Sequence, residues 1–102
     1  MCYNFLMDKR QIISSLQAQK ETLNAFGVRS IALFGSFARE QNHAHSDIDL
    51  LVSFNRSVGL FEFVRLQLYL EKLLHRKVDL VTEEALRREM REQILHEAVY
   101  VA

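Results

Sequence analysis

Proline is absent from the 102 residues, glycine occurs three times and cysteine once. With so little punctuation, Gly27, Gly35 and Gly59 become the informative breaks in the chain. A single cysteine, Cys2, excludes an internal disulfide and suits a reducing compartment. No run of about 18 apolar residues exists, which excludes a membrane-spanning helix. Thirteen Lys and Arg balance thirteen Asp and Glu, so there is no excess of either sign to coat nucleic acid or form an acidic tail. The opening residues carry neither a basic segment nor a long apolar one, so no secretory leader is expected and the expected location is the cytoplasm. What is present is ordinary globular material: 49% apolar and 25% charged residues, enough for a modest core and too apolar for disorder. At this length the expectation is one domain covering 1–102.

Apolar residues at helical spacing (Ile12, Leu16, Leu23, Phe26) predict a helix from Asp8, its N-cap, to a stop at Gly27. Val28 to Phe34 reads as a buried strand ending at Gly35-Ser36, with a short helix opening over 37–40 and a polar loop over 41–46. Asp47 to Phe54 is the clearest strand: Ile48, Leu50, Val52 and Phe54 share one face, and Asp47, Asp49, Leu51 and Ser53 the other. A turn over 55–59 leads into a leucine-rich helix, Leu60 to Leu74, apolar around so much of its girdle that burial is predicted. Lys77 to Thr82 reads as a third strand and Glu83 to Glu97 as one amphipathic helix, followed by an extended tail at Val99-Tyr100-Val101. The fold class is therefore α/β (α+β), a mixed β-sheet packed with helices.

The chemistry concentrates in carboxylates. Asp47 and Asp49, two apart in a strand, project from one face about 7 Å apart. Carboxylates so close on an apolar element need compensation, and a divalent cation is the natural one. Asp79 sits in the apolar strand Lys77-Val78-Asp79-Leu80-Val81, where Asp is disfavoured. Three such groups on adjacent strands would hold two metal ions about 4 Å apart, the clamp used in phosphoryl transfer. Solvation of the pair, or pairing of Asp79 with Arg76 or Lys77, is the plainer alternative. Gly35-Ser36, between a buried strand and a helix, offers backbone N–H groups to a phosphate, although a plain turn with a serine cap has the same sequence.

Gly35-Ser36, ten residues, then Asp47-Ile48-Asp49 resembles the signature of the DNA polymerase β-like nucleotidyltransferase superfamily. The string GSFAREQNHAHSDIDLLVSF, with the later RKVDLVTEEAL and REQILHEAVYV, is similar to its minimal nucleotidyltransferase subgroup, the small antitoxins paired with HEPN-domain toxins. The resemblance is strongest from Ile31 to Thr82. It implies that Gly35 and Ser36 hold nucleotide phosphates, with Arg39 also meeting phosphate. It further implies that Asp47 and Asp49 bind two Mg²⁺ ions, and that Asp79 helps bind one and takes the proton of the attacking hydroxyl. It implies ATP as substrate, AMP transfer with release of pyrophosphate, and a tyrosine of a HEPN toxin as acceptor. Two departures stand out: Glu40 where the subgroup usually has glycine, and His75 where glycine often precedes the arginine-lysine pair.

Other residues invite plainer readings. His43 and His45 lie in the polar loop and read as solvated, Cys2 as inert, and His75 and His96 as helix-end residues. Arg87, Arg88 and Arg91, interleaved with Glu84, Glu89 and Glu92, read as a solvated face. Two function classes remain. The first is a Mg²⁺-dependent protein adenylyltransferase; the second is a non-catalytic antitoxin that masks its partner, alone or in a homo- or hetero-oligomer. An intact three-Asp set favours the enzyme, since a pure binder gains nothing from clustered negative charge. Modification of a small molecule is disfavoured by the absence of residues for a second domain, and stable nucleic-acid binding by the neutral charge.

Overall fold

The computed structural model describes residues 8–38 and 47–101. Helix α1 (Lys9–Ala18) begins as the sequence predicts. Asp8 Oδ1 accepts from the Gln11 N–H at 2.8 Å, and Gln11 Oε1 accepts from the Asp8 N–H at 3.0 Å, a reciprocal capping box. The predicted single helix to residue 26 is broken at Gln19, and a second helix, α2 (Lys20–Ala25), follows. Gln19 leaves the helical conformation (φ −107°, ψ 24°), and its Oε1 accepts the Tyr69 hydroxyl at 3.0 Å. The spacing of Ile12, Leu16 and Leu23 is the same with or without this break, so the apolar pattern does not record it. Gly27 ends α2 at φ +88°, the left-handed conformation that suits glycine.

Strand β1 (Val28–Phe34) leads into a four-residue helix, α3 (Gly35–Ala38). Strand β2 (Ile48–Phe54) is followed by helix α4 (Leu60–Leu74) and strand β3 (Val78–Thr82). The predicted helix over 83–97 is also divided: a 3-10 turn at Glu83–Ala85, extended backbone at Leu86 and Arg87, then α5 (Arg88–Glu97). The tail forms β4 (Val99–Tyr100), within the extended segment expected over 99–101. The sheet order is β3-β2-β1-β4, with β2 and β3 parallel and the other pairs antiparallel. No described helix is long and apolar enough to cross a membrane.

Side chains alternate across this sheet. Ile31, Leu33, Ile48, Leu50, Val52, Val78 and Leu80 face α1, α2 and α4 and form the main core. Helix α4 contributes Leu66, Leu70 and Leu74, all at most 1% exposed; burial of each stabilises by about 1.5–3 kcal/mol. The predicted burial of α4 holds on this side only. Leu60, Phe61, Val64 and Leu68 are exposed, because one sheet face can cover only one side of a helix. On the other sheet face lie Ala32, Leu51, Asp49 and Asp79, with Ala32 and Leu51 buried.

Candidate active site

Two strand registers build the site. Asp49 is the Cα partner of Phe34 in the antiparallel pair and of Asp79 in the parallel pair. Paired residues on neighbouring strands project from the same face, with backbones about 4.8 Å apart. The register therefore sets the Asp49 and Asp79 carboxylates side by side on the face opposite the main core. Asp49 is half-buried and Asp79 exposed, since β3 is an edge strand. Asp47 is exposed one residue before β2. The Ile48 N–H donates to the Lys77 carbonyl at 2.9 Å, which fixes the start of the parallel pair beside it.

The third component arrives at the end of β1. Phe34 stands beside Asp49, so the next residue, Gly35, meets the Asp49 carboxylate directly. A Cβ on Gly35 would collide with Asp49 Oδ2 and lie 3.0 Å from its Cγ. Gly35 also has φ +76°, so both space and backbone conformation require glycine. From there the chain turns into α3, which packs on β1, β2 and α5 and carries Ser36. The Gly-Ser turn and the paired carboxylates, 14 positions apart from Gly35 to Asp49, are thus contiguous.

The structure thus brings Gly35, Asp49 and Asp79 together, with Asp47 and Ser36 placed at the same end by their backbone. Arg39, Glu40, His43, His45 and Cys2 lie outside the described residues. His75 and His96 stand at helix ends, as expected. Among the described residues no three His, Cys, Asp or Glu side chains are already gathered around one point. The chemistry of the carboxylates, hard oxygen donors on adjoining backbone positions, fits Mg²⁺. An open hollow at the far ends of β2 and β3, lined by Phe54, Arg56, Phe63 and Thr82 among others, contains none of these residues.

Two residues that position the site carry no mark in the sequence. Glu71 Oε2 accepts the Val78 N–H at 3.1 Å, and Gln67 Nε2 donates to the Val78 carbonyl at 3.2 Å. They satisfy the outward-facing backbone groups of the edge strand one residue before Asp79. The only sequence hint is a glutamate four residues after a glutamine on an otherwise leucine-rich helix.

Comparison with known proteins agrees with this geometry. The family model described as "Nucleotidyltransferase domain" matches residues 10–101. The chain is 40% identical over 97 residues to the protein adenylyltransferase MntA of Thermococcus cleftensis, an alignment covering 94% of this chain and 98% of that protein. A solved structure of a minimal nucleotidyltransferase superposes with a TM-score of 0.82 at 36% identity, covering 94% of this chain and 98% of the other. Two toxin–antitoxin structures share the fold at lower identity. One, with AMP-PNP, gives a TM-score of 0.69 at 24% identity, covering 94% of this chain and 73% of that one. The other, a tri-AMPylated Shewanella oneidensis HEPN toxin in complex with an MNT antitoxin, gives 0.66 at 19%, covering 92% and 71%. With a family model running through residues 10–101 and a relative aligned along almost all of both chains, this chain belongs to the nucleotidyltransferase domain family, in its protein adenylyltransferase branch.

Proposed function

We propose that the chain moves AMP from ATP to a tyrosine hydroxyl of a partner HEPN-domain toxin, releasing pyrophosphate and silencing the toxin. The observation that carries this reading is the register of Asp49 beside Asp79 with Gly35 packed on Asp49. The name of the Thermococcus relative, a protein adenylyltransferase, and the AMPylated HEPN toxin in the Shewanella assembly support AMP transfer to a protein of that class.

Each residue has a task that its position permits. The backbone N–H groups following Gly35 hold the phosphates of ATP, because the missing Cβ lets an anion approach the chain. By the family resemblance, Ser36 and Arg39 would add a hydroxyl and a cation to that cradle. Asp79, exposed at the sheet edge, accepts the proton of the incoming tyrosine hydroxyl as its oxygen attacks the α-phosphorus. The P–O bond to pyrophosphate breaks on the opposite side, and pyrophosphate leaves carrying the negative charge. Asp47, Asp49 and Asp79 would hold two Mg²⁺ ions, which when bound neutralise charge on the phosphates and acidify the acceptor hydroxyl. The cytoplasm, reducing and rich in ATP, suits this reaction.

Intact mass spectrometry tests the reading. The partner HEPN-domain toxin of this proposal is incubated with the chain, ATP and Mg²⁺, and in parallel with an Asp47→Ala, Asp49→Ala variant. A gain of one or more AMP masses, lost in the variant, is expected, with the label on tyrosine after proteolysis. A stable complex with no added mass would instead establish the masking antitoxin.

A further inference from the structure

The outer side of α4 is apolar where solvent should favour polar residues. Phe61 is 87% exposed, Leu60 74%, Leu68 59% and Val64 42%. They recur at i, i+3/i+4 and i+7/i+8, so they form one continuous stripe, several hundred Å² of apolar surface. The core does not use them, since Leu66, Leu70 and Leu74 already bury the opposite side.

Three observations identify what covers the stripe. First, its location: Gln67 and Glu71, immediate helical neighbours of Val64 and Leu68, grip Val78 on the edge strand β3. The stripe thus runs alongside the open sheet edge on which the exposed Asp79 lies. Second, its charge: Arg65 and Lys72 are exposed along one border with no ion pair among the described residues, Glu62 is paired with Arg56 at 3.3 Å, and Glu71, on the β3 side, accepts from the Val78 N–H. Third, the exposed Arg65 and Lys72 match a partner whose own border is acidic. We propose that the α4 stripe is the docking surface for the protein acceptor, which presents an apolar ridge bordered by carboxylates and reaches its hydroxyl around the β3 edge to Asp79. This rests on the protein-acceptor reading above.

The test compares wild type with Phe61→Asp/Leu68→Asp, with Arg65→Glu/Lys72→Glu, and with Met90→Asp as an exposed apolar control on α5. Affinity for the partner HEPN-domain protein, AMP transfer, ATP binding, thermal melting and the oligomeric state of the chain alone are measured. Both double variants should bind the partner at least tenfold more weakly and transfer AMP correspondingly more slowly. ATP affinity and melting should be unchanged, and Met90→Asp should behave as wild type. Undiminished partner binding by both double variants overturns the proposal. So does a wild-type dimer that Phe61→Asp/Leu68→Asp dissociates, because the occupant is then a second copy. A wild-type chain that binds the partner through the stripe but transfers nothing overturns the transferase reading and leaves the surface standing; one that neither binds nor modifies it overturns both.

Discussion

Gly35 lies against the carboxylate of Asp49 so closely that no side chain fits between them. The glycine-serine turn and the acidic strand are therefore one object, held in register by the pairing of Phe34 with Asp49. The relationship also explains why the turn needs glycine twice over, for φ +76° and for contact with Oδ2.

Gly35→Ala should then fail on both counts. A left-handed alanine costs about 1–2 kcal/mol, and displacement of the Asp49 carboxylate adds to it. Urea denaturation should show a loss of at least about 1 kcal/mol, and AMP transfer should fall at least a hundredfold, as expected when a phosphate cradle and a carboxylate move together. A variant as stable and as fast as wild type would show that the contact does not constrain the site.

Asp79→Asn separates stability from activity. Like charges directly across a strand pair are destabilising by about 0.2–1 kcal/mol, so removing one should leave the melting temperature unchanged or slightly higher. Transfer should fall by about 10²–10⁴-fold with loss of the proton acceptor. Mg²⁺ should raise the melting temperature of the wild type more than that of the variant. A destabilised variant with intact transfer would reassign Asp79 to a structural role.

How much of this was legible in the sequence depends on the range of the interaction. β2 was read almost to the residue because its alternation of Ile48, Leu50 and Val52 against Asp49, Leu51 and Ser53 is a local signal. α4 is bounded by Leu60 and Leu74 as expected, yet the burial its composition predicts reaches one side only, because composition does not say how many neighbours a helix has. The breaks at Gln19 and at Leu86–Arg87 were invisible, since the apolar spacing continues through them. The three carboxylates were found by type and spacing. That Asp49 stands opposite Asp79, and that Gln67 and Glu71 hold the strand in place, are facts of pairing between residues far apart in the chain.

His75 ends α4 at φ 54° and ψ 38°, the left-handed conformation, where many helices carry glycine. Relief of that strain outweighs the extra freedom glycine gives the unfolded chain. His75→Gly should therefore raise stability by about 0.5–1 kcal/mol in denaturant titration, with AMP transfer unchanged. A loss of stability would mean that the imidazole makes a contribution beyond capping.

Glu71→Ala tests whether the edge strand needs its brace. The Val78 N–H loses a charged acceptor at 3.1 Å, and a part-buried bond of that kind is worth about 1.5–3 kcal/mol. Some of this returns through water at the sheet edge, so a loss of about 1 kcal/mol is expected in denaturant titration. The mechanistic signature is sharper. Val78 precedes Asp79, so a loosened strand should disturb the proposed proton acceptor while leaving the proposed nucleotide cradle at Gly35 untouched. Transfer should therefore slow several-fold with ATP affinity unchanged, and Glu71→Gln, which keeps an oxygen acceptor, should recover most of the rate. Equal rates for Glu71→Ala and wild type would show that pairing with β2 alone is enough to position Asp79.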